Sequence, residues 1–194
     1  MKFRIIVLLL FIQFISFAQK PCELATNIND SIGTYKETKG CLVYEKVFGN
    51  SSQLIFLSLA SENDTPLLKI QVIQKSKDFI TPKCLDAASK LFFQLSNGKV
   101  YSLIYADEGK CDNLIYNQEE KENNRFLDAT FFFMKNDFED LKKYSISLMK
   151  INYSSGAIDY VLPKEIISEK LGTTFRPEDF FKDNYGCLFT DNAK

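Results

Sequence analysis

The chain has 194 residues, 45% of them hydrophobic and 25% charged, with 24 Lys and Arg against 25 Asp and Glu. That balance describes an ordinary globular chain rather than a disordered one, and without a sustained basic block it makes nucleic acid and anionic membrane surfaces poor partner candidates. Histidine is absent, which removes the usual general base at neutral pH, the Ser/His/Asp and Cys/His arrangements, and the commonest metal ligand.

Lys2 and Arg4 open the chain, Ile5 to Ile15 is apolar but for Gln13, and Ser16-Phe17-Ala18 puts small residues where a signal peptidase reads. The apolar run is too short for a membrane span and lacks a stop-transfer flank. Cleavage after Ala18 is therefore expected: residues 1–18 are a signal peptide and 19–194 a single exported domain, secreted or periplasmic, with no transmembrane segment. Removing Lys2 and Arg4 leaves 22 basic residues against 25 acidic ones, a net charge of −3.

Residues 19–40 read as a polar, extended lead-in. Asn27, Asn29, Asp30 and Ser31 gather oxygen atoms there, but without the spacing of a calcium loop. Cys41–Phe48 and Gln53–Leu59 read as strands, and Leu68-Lys69-Ile70-Gln71-Val72 alternates as a half-buried strand does. Asn97-Gly98, between the apolar-rich runs Lys90–Gln94 and Val100–Tyr105, predicts a hairpin with a two-residue turn. That turn sets Leu91 opposite Ile104, Phe92 opposite Leu103 and Leu95 opposite Val100. Cys84 and Cys111 fall symmetrically beyond the strand ends in the same register. A Cys84–Cys111 disulfide follows, although Pro82 and Gly109 interrupt continuous pairing.

All five cysteines, Cys22, Cys41, Cys84, Cys111 and Cys187, lie in the exported part, where disulfides persist. An odd count allows at most two internal bridges and leaves one thiol over. Zinc-site spacing is absent. Leu114–Tyr116 starts another strand, and the charged stretch from Gln118 to Arg125 reads as a solvated loop before strand Phe126–Phe133. Phe131, Phe132 and Phe133 are consecutive, so their side chains must occupy both strand faces. Either both faces are core, or one is an exposed apolar face for a protein or glycan partner.

Asn136 and Glu139 resemble a capping box opening a short helix. In Ser145–Tyr153 the apolar positions change parity near Leu148, which requires either two buried faces or a bulge. Ser154-Ser155-Gly156 is a turn before Ile158, Tyr160 and Leu162. Pro163–Leu171 reads as a helix ended by Gly172, and Pro177-Glu178-Asp179 starts a final helix presenting Phe180, Phe181, Tyr185 and Leu188 to the core.

The order, a long run of strands followed by short helices, predicts an α+β fold: a mostly antiparallel, sandwich-like β-sheet with short helices near the C-terminus. No glycine-rich phosphate loop occurs. The expected function is an exported, non-enzymatic binding or structural module working through a sheet face or edge, with no cofactor and a protein, glycan or apolar ligand as partner. The alternative is a small-molecule or lipid carrier with an aromatic-lined cavity between sheet and helices. A hydrolase would need two carboxylates facing each other across a cleft, and Asp137, Glu139, Asp140, Glu119, Glu120 and Glu122 read first as solvated faces.

Phe17-Ala18 before Gln19, the Asn97-Gly98 hairpin, the late Ile146–Ile151 strand and the closing helix from Phe180-Phe181 to Cys187-Leu188 give the chain a resemblance. It resembles small uncharacterised secreted proteins of Bacteroidota. The resemblance implies a periplasmic or extracellular location and no assigned activity. In that context Asp30-Ser31-Ile32 resembles the Asp-Ser/Thr-aliphatic O-glycosylation pattern of these bacteria, which marks Ser31.

Overall fold

The computed structural model describes residues 23–134 and 138–189; the expected signal peptide, Cys22, Asn136 and Asp137 lie outside the described residues. The strands are β1 (Leu24–Asn29), β2 (Thr34–Thr38), β3 (Cys41–Phe48), β4 (Ser51–Glu62), β5 (Thr65–Ser76), β6 (Cys84–Asp86), β7 (Lys90–Leu95), β8 (Val100–Tyr105), β9 (Gly109–Cys111), β10 (Asn113–Asn117), β11 (Glu122–Phe133), β12 (Ile146–Tyr153), β13 (Gly156–Val161), β14 (Ile166–Ile167) and β15 (Thr174–Phe175). Helix α1 (Glu139–Lys143) precedes β12, and a 3-10 turn (Pro177–Asp179) leads into α2 (Phe180–Leu188). The expected fold class holds: among the described residues the strand pairings are antiparallel and the helices are few, short and late in the chain.

The main sheet runs β1-β2-β4-β5-β11-β8-β7-β12-β13, with β3 also on β4 and β10 also on β11. Its centre is the β4–β5 hairpin, paired without a break from Ser51↔Ser76 to Glu62↔Thr65. Asn63 and Asp64 make its two-residue turn at positive φ, a conformation that Asn and Asp tolerate better than other side chains. The β1–β2 hairpin docks on that turn, where Asn63 Oδ1 accepts from the Thr34 amide at 2.9 Å. A Cβ on Gly33 would lie 2.2 Å from the same Oδ1, so only glycine permits this approach. What reads in sequence as an extended lead-in is thus a hairpin and the sheet's first two strands.

Side chains alternate across the central strands. Ile55, Leu57 and Leu59, Leu68, Ile70 and Val72, and Leu127, Ala129 and Phe131 all point inward and are buried. The β7–β8–β12–β13 arm folds over them and brings the Tyr160 ring within 5.0 Å of Tyr44, edge to face. Phe181 of α2 packs edge to face on Phe93 (5.0 Å) and Phe180 (5.1 Å), and Phe133 does so on Phe138 (5.1 Å). Aromatic rings thereby fill one end of the interior. The other end is polar: Arg125 is buried, donates to Ile80 O at 2.9 Å and pairs with buried Asp112 at 2.6 Å.

Three expectations require correction. The β7–β8 register is Leu91↔Leu103 and Phe93↔Tyr101, one residue from the predicted one. The loop is Ser96-Asn97-Gly98, with Leu95 N donating to Lys99 O at 2.9 Å and Gly98 at φ +82°, the left-handed position of a three-residue loop. This register lets Leu91, Phe93, Tyr101 and Leu103 share the buried face. Pro163–Leu171 is not a helix. Ile166-Ile167 pairs with Thr174-Phe175, and Glu45 captures the intervening turn by accepting from Ser168 Oγ (3.1 Å), Glu169 N (3.2 Å) and Lys170 N (3.2 Å). Ile167 and Leu171 stay exposed, so a helix here would have had no apolar face to bury.

The charged stretch before Phe126 is only partly loop. Residues 118–121 turn, whereas Glu122–Arg125 already belong to β11, with Asn124 and Arg125 buried. The short helix expected after Asn136 is present as α1, while the Asn136 cap itself lies outside the described residues. The irregular strand resolves as a bulge: β12 shifts register between Ile146 and Leu148, which puts Ile146, Met149, Ile151 and Tyr153 all in the core.

Candidate functional site

The same alternation that fills the core gives β2, β4, β5 and β11 a polar outer face. Glu37 of β2, Phe56 and Ser58 of β4, Lys69 and Gln71 of β5, and Asp128 and Thr130 of β11 line a groove of about 620 Å³. Ala25 of β1 contributes one wall, and Tyr105, Ala106, Asp107 and Lys110 contribute the other. The Gly33–Asn63 contact holds the first wall, and the disulfide beside Lys110 holds the second.

Glu37 organises the floor. Its Oε2 accepts from Tyr35 OH at 2.6 Å and from Lys69 Nζ at 2.8 Å, while its Oε1 accepts from Ser58 Oγ at 2.8 Å. Lys69 Nζ also reaches Tyr35 OH at 3.4 Å. On the far strand Gln71 Nε2 donates to Asp128 Oδ1 at 2.8 Å. Burial pushes the Glu37 carboxyl up, but the hydrogen bonds from Lys69, Tyr35 and Ser58 and the Lys69 charge outweigh it and hold the carboxyl below its ordinary value. Burial pulls the Lys69 ammonium down, and the bond to Glu37 with its charge carries it above the ordinary value. Burial and then Glu37 raise the Tyr35 phenol. Near neutral pH the floor is therefore a fixed carboxylate–ammonium–phenol cluster. Its neighbours offer further hydroxyl, amide and carboxylate groups.

The predicted site residues fall in different places. Cys84 and Cys111 are bridged, as expected, but by another route: β6 and β9 form their own two-stranded ladder with Cys84 opposite Cys111. The one-residue offset between that ladder and the β7–β8 hairpin is absorbed between Asp86 and Lys90 on one side and between Tyr105 and Gly109 on the other. Cys187 is also disulfide-bonded. Phe131 is fully buried and packs on Tyr105 (5.7 Å between centroids), and Phe133 joins the aromatic cluster under α2. Phe132 alone faces out, 40% exposed, between Leu67 and Ile104 and in line with the groove residues Asp128 and Thr130. Ser31 sits at the exposed β1–β2 tip, where Asp30 Oδ1 accepts from the Ile32 (2.8 Å) and Gly33 (3.2 Å) amides. The oxygen-rich segment around Asp30 is thus spent on its own turn.

Asp137 lies outside the described residues, and the other acids singled out in sequence do not converge. Glu119 and Glu120 lie in the turn after β10, Glu122 is 3.7 Å from Lys75, Glu139 pairs with Lys142 at 2.9 Å, and Asp140 pairs with Lys99. The acids that do share a cleft are Glu37, Asp107 and Asp128. Glu37 and Asp128 stand three strands apart and four residues out of level, a backbone separation of about 20 Å in a flat sheet. Between sheet and α2, Phe181 packs on Phe93, Phe133 and Phe180. Among the described residues no helix is long and apolar enough to cross a membrane.

A β-sheet with a polar groove on one face and a packed core on the other defines this chain structurally. No protein-family model, curated protein or solved structure matches it.

Proposed function

We propose that the chain is an exported binding module that holds a hydroxyl-rich, polar ligand of the saccharide class in the outer-face groove. The observation that carries this reading is the Tyr35–Glu37–Lys69–Ser58 cluster, whose geometry is fixed before any ligand arrives. Pre-ordered donors and acceptors spare a ligand the ordering cost that weakens most polar recognition. The formal charges around the groove nearly cancel, with Glu37, Asp107 and Asp128 against Lys69 and Lys110. This composition favours dense neutral hydrogen bonding over a strongly charged ligand. Phe56 supplies an apolar surface against which a ring could lie, and Phe132 extends the same face. Export is supported by the signal-like pattern of residues 1–18 and by a disulfide of the kind that persists in oxidising compartments.

The test is a glycan array followed by titration calorimetry on the mature chain. Binding to one saccharide class is expected, falling at least tenfold in Gln71→Ala and Glu37→Gln variants that keep the wild-type circular dichroism. Absence of binding across the array, or binding indifferent to both substitutions, overturns the reading.

A further inference from the structure

The polar end of the interior opens to solvent. Gln53 of β4 stands opposite Gln74 of β5, two residues beyond the buried Ile55–Val72 pair, and so belongs to the same inward face. Lys46 of β3 continues that row opposite Gln53. The segment from Phe79 to Lys83 faces the row across a hollow of about 400 Å³. That is room for a small organic molecule. The lining includes Lys46, Lys75 and Lys83 and no carboxylate.

These three cations are not equivalent. Lys75 stands 3.7 Å from Glu122 and so has an acid of its own. Among the described residues Lys46 and Lys83 make no ion pair. Lys83 is partly buried, with its ammonium 5.4 Å from the Tyr153 ring centroid. Asp112 is the acid that acts on it, but both Asp112 oxygens are taken. Arg125 donates to one at 2.6 Å, and the backbone amide of Lys83 donates to the other at 2.9 Å. Burial therefore pulls the Lys83 ammonium below its ordinary value, and Asp112 offsets only part of that. A partly desolvated cation with no carboxylate at bonding distance favours an anion brought by a ligand.

The wall that carries Lys83 is fixed at both ends. Asp112 N donates to Lys83 O at 2.9 Å, the next residue is the bridged Cys84, and Arg125 Nε donates to Ile80 O at 2.9 Å. A ligand would thus meet a wall already in place. The rim is apolar: Phe48 and Phe79 both line the hollow and are 77% and 78% exposed. Phosphate and sulfate are commonly held by arginine forks or by nests of backbone N–H groups. Here the neighbouring arginine is committed to Asp112. We infer that this hollow is a second ligand site, which takes a small carboxylate with an apolar body. Lys83 and Lys46 bind the carboxylate, and Phe48 and Phe79 cover the body.

Calorimetry and heteronuclear NMR on the mature chain, with hydrocinnamate and its uncharged amide as probes, read this directly. The acid is expected to bind saturably, about tenfold or more tighter than the amide. Shift changes should centre on 46–53 and 74–83, and the Lys83 ammonium should titrate higher in the saturated protein. Lys83→Gln should weaken binding about tenfold and Lys46→Gln several-fold, both with unchanged circular dichroism. N-acetylphenylalanine separates the two sources of such a group: tighter binding than hydrocinnamate supports the site as one for a peptide C-terminus, and weaker binding as one for a free acid. No saturable binding of either acid, equal binding of acid and amide, or indifference to Lys83→Gln overturns the inference. So does inorganic phosphate binding as tightly as the acids. If Lys83→Gln fails to fold, the acid–amide comparison and Lys46→Gln still decide it. The groove lies on the opposite face of the sheet, so none of these outcomes depends on whether it binds a saccharide.

Discussion

Strands β4, β5 and β11 present two faces built from the same twelve-residue stretches and differing in almost every physical respect. Inward, Leu57, Ile70 and Phe131 are buried in an apolar interior. Outward, Ser58, Lys69 and Thr130, each directly next in sequence to one of these, line the groove. The two faces differ in what sets their energetics. The inner one is stabilised by non-directional burial that scales with area, about 25 cal/mol per Å². The outer one adds little net stability, because solvent screens and competes with its ion pairs and hydrogen bonds. A sheet so divided can vary its outer chemistry without losing its fold.

Substitutions at adjacent positions break this comparison most sharply. Phe131→Ala removes a fully buried ring and should cost about 3–5 kcal/mol in urea unfolding. Loss of the disulfide in a Cys84→Ser, Cys111→Ser chain should cost about 3–4 kcal/mol, from a loop of sequence separation 27. It should also loosen the groove wall that carries Lys110, seen as faster amide exchange at 106–111. Phe132→Asp, one residue from Phe131 but facing out, should cost only about 1–2 kcal/mol, from partial burial and lost strand propensity. Equal costs at Phe131 and Phe132 would mean that the outer face is core too.

These contrasts also mark what the sequence could and could not disclose. Strict alternation through Leu68–Val72 makes Lys69 and Gln71 readable as an outward row, and the closing helix is visible from its proline and its Phe180-Phe181 pair. The groove itself is not readable. It depends on Glu37, Ser58, Lys69 and Asp128 meeting from strands β2, β4, β5 and β11, an adjacency set by topology rather than by spacing along the chain. The Asn97-Gly98 hairpin shows the same limit at smaller scale. Two- and three-residue loops share an Asn-Gly signal, and only the demand that Leu91, Phe93, Tyr101 and Leu103 share one face selects the register. Arg125 was hidden because a charged run reads as solvated until its buried partner, Asp112, is brought beside it from thirteen positions away.

The smallest expected effect sharpens the comparison most, because it isolates the outer face. Glu37→Gln keeps the shape and removes the charge that Lys69, Tyr35 and Ser58 surround. The Glu37 side chain is 17% exposed and that of Lys69 41%, so solvent screening limits the loss at neutral pH to under about 1 kcal/mol. Its pH dependence carries the signature. The folded-state carboxyl titrates below its ordinary value of 4.5, so its contribution is fully present above that value and disappears as pH falls through the lowered one. The Lys69 ammonium titrates above its ordinary 10.5, so its share is present below that value and is lost only as pH rises through the raised one. Wild type and Glu37→Gln should therefore differ by a small, constant amount across the neutral range and converge in acid, as urea titrations at stepped pH would show. A difference that persists below the carboxylate range would assign Glu37 a packing role and remove the electrostatic basis of the groove.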